Sequence, residues 1–185
     1  MGIFGKGKWE REDGMPRASR GGVLAVWGSP GSGKTTVSVK LAERLTANGN
    51  NCLLIFADMT TPVIPYVCPP SDLIGEKSLG SILAAARVDQ TLLRQNCMFY
   101  KKNRYLSVVG FLKGENRFAY PAYGDEQARQ LIEAAREVAP FVIVDCSSHV
   151  TTNRLTCNAV LGADRGLRLV RCDLKSVSYL SSQLP

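Results

Sequence analysis

Nine consecutive residues, Gly28-Ser29-Pro30-Gly31-Ser32-Gly33-Lys34-Thr35-Thr36, fit the spacing G-x-x-x-x-G-K-[ST] at every required position. The chemistry this spacing serves is polyphosphate binding. Glycine lets the backbone curl without Cβ clashes, so successive N–H groups turn inward and form an anion-binding nest. Lys34 adds a point charge for the β- and γ-phosphates, and Thr35 offers a hydroxyl to Mg²⁺. A helix beginning near Gly33 would aim the positive end of its dipole at the same phosphates. Two aspartates stand where such a site needs carboxylates. Asp145 closes the apolar run 141–144 and reads as a Walker B carboxylate that holds Mg²⁺ through water. Asp58 closes the run 52–57 and is expected near the γ-phosphate. His149, the only histidine, reads as an ordinary loop residue.

These residues need a scaffold that brings strand ends together, and the hydrophobic pattern supplies one. The apolar run Val23-Leu24-Ala25-Val26-Trp27 enters the loop as a strand, and 34–47 leaves it as a helix, with Val37, Leu41 and Leu45 four apart and Asn48-Gly49 as its stop. A buried strand follows over 52–57. Pro62, Pro65, Pro69 and Pro70 then enforce an irregular loop. Helical character returns over 79–86, and a short strand over 105–111. Asp125 is expected to cap a helix over 126–138, ahead of the strand 141–144. A helix over 153–161, a strand over 167–172 and a further helix from Lys175 complete the order. Strands that are apolar throughout and separated by helices predict an α/β fold in three layers, a mainly parallel sheet covered by helices on both faces. Ligands of such sheets bind at the carboxyl ends of the strands, where Gly28, Asp58 and Asp145 all fall.

Composition sets the boundaries. The chain has 185 residues, 45% of them hydrophobic, enough for one sizeable core over 21–185. Residues 1–20 read as a flexible charged leader, with neither a signal peptide's apolar run nor a transmembrane segment, which places the chain in the cytoplasm. The six cysteines form no C-x-x-C pair and read as reduced structural thiols. Net charge is +7. Much of it lies in 87–117, where Arg87, Arg94, Lys101, Lys102, Arg104, Lys113 and Arg117 face only Asp89 and Glu115. With Phe99, Tyr100 and Tyr105 among them, these cations fit an anionic partner such as DNA or a membrane surface, and equally a solvated helix face followed by a buried strand.

The chain resembles the deviant-Walker ATPases of the MinD/ParA family, in the SIMIBI class of P-loop NTPases. The resemblance runs from about 23 to 180. It rests on the phosphate loop, on Leu53-Leu54-Ile55-Phe56-Ala57-Asp58 with its switch I aspartate, on Ser78-Leu79-Gly80-Ser81-Ile82-Leu83, and on Val144-Asp145. Gly162-Ala163-Asp164 followed by 169–177 looks most similar to the pilus-localisation (CpaE/TadZ-like) branch. The resemblance implies Mg²⁺ and ATP as ligands, a homodimer when ATP is bound, and recruitment to a pole, membrane surface or nucleoid. Lys34 and Asp58 would then be catalytic, Gly28 to Thr36 would bind nucleotide, and Thr35 and Asp145 would hold the metal.

Four departures bear on that implication. Ser29 occupies the place of the family's signature lysine, predicting slow turnover or a cation supplied by a partner. Cys146-Ser147-Ser148-His149 lacks the glycine expected after the Walker B aspartate. Phe56 replaces an acidic residue. Pro185 falls just as a helix begins, as in a shortened member. Three other readings stay open: a nucleotide-gated scaffold without hydrolysis, a small-molecule kinase, and a signal-recognition-type GTPase, the last lacking Thr-Ala-Gly after Asp145.

Overall fold

The computed structural model describes residues 21–74, 77–116 and 118–183, so the leader expected over 1–20 lies outside the described residues. The elements are β1 (Gly22–Gly28), α1 (Lys34–Ala47), β2 (Cys52–Phe56), α2 (Ile64–Val67), β3 (Leu73–Ile74), α3 (Leu79–Leu83), α4 (Gln90–Asn96), β4 (Met98–Tyr100), β5 (Leu106–Gly110), α5 (Asp125–Val138), β6 (Phe141–Asp145), α6 (Arg154–Gly162), β7 (Arg165–Leu169) and α7 (Leu174–Gln183). The sheet runs β3-β4-β5-β2-β6-β1-β7. Its five strands from β5 to β7 are all parallel, and β4 and β3 extend it antiparallel at one edge.

Because side chains alternate along a strand, β2 can be apolar at every position only if both faces are covered. Leu53 and Ile55 pack with α3, α4, α5 and α6, together with Leu79, Leu93, Leu131 and Leu155. Cys52, Leu54 and Phe56 point the other way, toward Ala42 of α1 and Ile64 of α2. That makes the three layers. The stripe Ala128, Leu131, Ile132 and Ala135, spaced three, four and seven apart, is the face α5 buries. Truncating Leu53 or Leu131 to alanine in such a core typically costs about 2–5 kcal/mol.

Several elements differ from the sequence expectation. The helix expected over 79–86 stops at Leu83, because the chain turns there to reach α4, whose first turn is capped by Asp89 (Leu92 N–H to Oδ1, 2.9 Å). That helix and β4 lie in the basic stretch 87–117, where a helix face followed by a buried strand was one of the two readings, without bounds; α2 and β3 within the proline-rich loop were not foreseen. Asp125 is the first residue of α5 and not its cap. Gln127 Oε1 already accepts the Gly124 N–H at 2.9 Å, which frees Asp125 to bridge to Arg154 (2.8 Å) and Asn158 (3.0 Å) on α6. The last strand covers 165–169 and not 167–172, since its ladder with β1 ends at the Gly28–Leu169 pair.

Cys52, Cys68, Cys97 and Cys146 are buried, whereas Cys172 is exposed. Burial pushes the Cys52 thiol up to about 12 and those of Cys68 and Cys97 up to about 11. A thiolate is needed for alkylation. Limited iodoacetamide treatment of the native protein near neutral pH, read by peptide mass mapping, is expected to label Cys172 well before any of the four buried thiols; prompt labelling of Cys52 would contradict this packing.

Candidate nucleotide site

Three adjacent strands deliver the site to one edge of the sheet. Asp145, at the end of β6, is in register with Val26 on one side and Phe56 on the other. Two residues beyond those partners stand Gly28 and Asp58, so the loop start and both aspartates share the carboxyl edge. The phosphate loop is glycine-dependent in its geometry. Gly28, Gly31 and Gly33 have φ of +146°, +70° and +86°. A Cβ on Gly28 would lie 1.7 Å from the Leu169 carbonyl oxygen, so β7 closes against the loop only because that position has none. Gly33 in the left-handed region then turns the chain into α1.

The side chains singled out from the loop converge on Asp145. Thr35 Oγ1 donates to Asp145 Oδ2 at 2.6 Å. Ser38, one turn further along α1, donates to Oδ1 at 3.2 Å. Asp145 is only 3% exposed, and this burial pushes its carboxyl up to about 6 against the pull of the two hydroxyls and of Lys34. Lys34 Nζ donates to the Ser29 carbonyl at 3.1 Å and to Ser148 Oγ at 2.6 Å. Burial lowers its pKa, and the negative charges of Asp145 and Asp58 work in the opposite direction. Asp58 lies at the rim. Its Oδ1 accepts from the Thr60 N–H (2.8 Å), the Thr60 hydroxyl (2.6 Å) and the Thr61 N–H (3.3 Å), which fixes a tight turn.

Ser29 is 1% exposed and faces inward. Its N–H bonds the Leu169 carbonyl (3.0 Å), and its hydroxyl oxygen accepts from Ser176 Oγ (2.9 Å) and the Arg171 N–H (3.4 Å). Pro30 and Thr36 lie on the loop and the first turn of α1, with Thr36 exposed. Ser32 Oγ is buried with no hydrogen-bond partner among the described residues. An orphaned hydroxyl beside an inward-curling loop fits an absent acceptor such as a phosphate oxygen. Thr35 and Asp145 likewise present the hard oxygen donors that suit Mg²⁺. Among the described residues no group of three or more His, Cys, Asp or Glu could hold a metal by itself.

Sequence reasoning missed Ser38, Ser148, Ser176 and Arg171. Ser38 was within reach, being three residues beyond Thr35 on a helix and so on the same face. The other three come from loops and elements whose approach only the fold reveals. Beside this edge, between the Asp58 turn and the loop after β6, lies a cavity of about 630 Å³ whose lining includes Phe111, Tyr120, Tyr123, Ser147, His149 and Asn153. Tyr120 is held there by its bond to Glu115 (2.5 Å) and by Gly80, where a Cβ would lie 2.2 Å from its ring. The cations of the basic stretch are partly engaged within the chain: Lys101 with the Ser71 carbonyl (2.6 Å), Lys102 with Asp72 (2.5 Å) and Arg94 with the Glu137 carbonyl (3.2 Å). No helix among the described residues is long and apolar enough to cross a membrane.

No protein-family model and no curated protein matches the chain. Solved structures do. The chain is similar to the septum site-determining protein MinD from Pyrococcus horikoshii in complex with Mg-ADP, at 16% identity over 85% of this chain and 60% of that one, with a TM-score of 0.67. It is also similar to the kinase domain of the Escherichia coli tyrosine kinase ETK (22%, covering 90% and 62%, TM-score 0.65). A third likeness is to cobyrinic acid a,c-diamide synthase from Mycobacterium smegmatis with bound ADP and magnesium (20%, covering 88% and 66%, TM-score 0.61). At these identities the likeness establishes the P-loop NTPase fold, and the chain spans less than two thirds of the length of each of these structures.

The raised carboxyl of Asp145 carries a stability consequence. Between pH 3.8 and about 6 the folded protein holds a proton that the unfolded chain has released, so stability falls as pH rises through that window. Asp145→Asn is expected to stabilise the ligand-free protein by up to about 3 kcal/mol near neutral pH, with the difference shrinking as pH falls toward 4. Urea unfolding of both proteins across that range checks it.

Proposed function

We propose that this chain is a Mg·ATP-binding ATPase of the partition and localisation type, a nucleotide-dependent dimerisation switch whose hydrolysis is slow or stimulated by a partner. The observation that carries the reading is the convergence of Lys34, Thr35 and the buried Asp145 on one glycine-curled loop. Solved structures that share the fold and hold Mg-ADP, or ADP and magnesium, support it, and the stretch 162–177 favours the pilus-localisation branch. The loop amides from Gly31 to Thr35 would hold the phosphates, and Lys34 would leave Ser148 to pair with the terminal ones. Thr35 and Asp145 would hold Mg²⁺, which neutralises phosphate charge when bound. Asp58 Oδ1 is occupied by its turn, while Oδ2 has no hydrogen bond among the described residues. That second oxygen would orient the attacking water.

A second reading, phosphoryl transfer to a small acceptor, is favoured by the aromatic cavity beside the Asp58 turn, whose size lies within the roughly 300–1,000 Å³ of small-molecule sites. ADP and inorganic phosphate released in equal amounts identify hydrolysis; ADP in excess, dependent on an added metabolite extract, identifies transfer. For the leading reading, Lys34→Ala is expected to weaken Mg·ATP binding by roughly 100-fold, the scale of a lost charged contact of about 3 kcal/mol. Asp58→Ala is expected to abolish turnover while binding persists. Light scattering with Mg·ATP is expected to show a dimer that Mg·ADP does not support. Tight binding with no phosphate release would favour the nucleotide-gated scaffold.

A further inference from the structure

Ser29 cannot deliver a cation, and its environment points to the residue that does. Its buried hydroxyl is the tie point for the segment after β7, accepting from the Arg171 N–H and from Ser176 of α7. That tie draws Arg171 over the phosphate loop. Arg171 Nη1 stands 3.4 Å from the position a Cβ on Gly31 would take, so the guanidinium lies in van der Waals contact with the loop. Its direction is fixed from behind. Asp173 Oδ2 holds Arg171 Nε at 3.1 Å, while Asp173 Oδ1 accepts the Ser176 N–H at 2.8 Å and so anchors the pair to the start of α7. Neither Nη1 nor Nη2 has a hydrogen bond among the described residues, and the side chain is 60% exposed. Two forked donors are thus left open beside an anion-binding loop.

We propose that Arg171 supplies, from the end of β7, the phosphate-directed cation that the loop lacks at Ser29, gripping the polyphosphate of a nucleotide held on the same chain's loop. The inference rests on the nucleotide-binding reading above. It replaces the expectation of a partner-borne cation with one built into the fold: Ser29 gives up the charge, and the hydroxyl in its place docks the strand end that carries one. Planar guanidinium suits this position because it can reach two phosphate oxygens from one anchored nitrogen.

The test is isothermal titration of the full chain with Mg·ATP, Mg·ADP and AMP, comparing the parent with Arg171→Ala, Arg171→Gln, Arg171→Lys and Lys34→Ala. Circular dichroism and thermal melts establish that each variant is folded, and the glutamine variant keeps the packing bulk if the alanine variant does not fold. Arg171→Ala and Arg171→Gln are expected to lose about tenfold in ATP affinity, the scale of one charge-assisted contact. The loss should shrink from ATP to ADP and vanish for AMP, with lysine restoring part of it. Unchanged ATP affinity in both Arg171 variants, while Lys34→Ala shows its expected loss, would overturn the role of Arg171 and leave the nucleotide site intact. An equal loss for AMP would also overturn it, since the contact would then be to the ribose or base. A parent protein that binds no nucleotide would overturn the underlying reading and this inference together.

Discussion

A carboxylate held almost out of water at the end of a central strand sets the terms for the whole carboxyl edge. Asp145 cannot move, because β6 is clamped between β1 and β2 by ladders that run to its own position. Both of its oxygens are occupied by hydroxyls from the first two turns of α1. The sheet, the loop and the helix are thereby joined at one residue. Burying a carboxylate is unfavourable unless something compensates, and two neutral hydroxyls with a lysine nearby compensate only in part, which is why its proton is held to about pH 6. A site built this way is under electrostatic tension until a cation arrives. Stability is traded for readiness, a common feature of binding sites.

Hydroxyls do structural work here that the partition-type pattern leaves to other residues. Ser29 stands in a lysine's place and binds the segment after β7. Ser148 lies in the stretch that lacks the expected glycine and receives the Lys34 ammonium at 2.6 Å. A side chain where a glycine was expected thus gives the lysine a partner within the chain. Both serines make contacts within the chain that knit this edge together.

Much of this was legible in the sequence, for a physical reason. Apolar runs bounded by glycine, proline or aspartate report burial directly, so β1, β2, β5 and β6 fall close to where the pattern puts them, and the loop declares itself through glycines that tolerate positive φ. Short elements were not legible. α4 is seven residues long and β4 three, too short for a period to declare itself among the flanking cations; what forms them is the Asp89 cap and pairing with β5. Asp125 looks like a cap because caps are usually polar, yet the cap position falls one residue earlier, at Gly124, whose N–H Gln127 reaches back to accept. The partners of the Ser29 hydroxyl lie 142 and 147 residues away, and no local rule reaches so far.

The fold does not choose the chemistry. It is shared with proteins described as a septum-site determinant, a tyrosine kinase and a synthase. What distinguishes outcomes on such a scaffold is which contacts exist before the transition state and which form only in it. The loop amides and the Thr35–Asp145 pair stand in place, and contacts of that kind hold substrate and transition state alike. In the partition-type ATPases that the sequence resembles, the signature lysine would belong to the second kind, and Ser29 stands at its position here. An arginine anchored through Asp173 to α7 is likewise poised before any reaction begins, so it adds to ground-state grip rather than to the chemical step. On the function proposed above, the balance of residues at this edge would favour tight nucleotide binding over fast turnover, the property a switch would require.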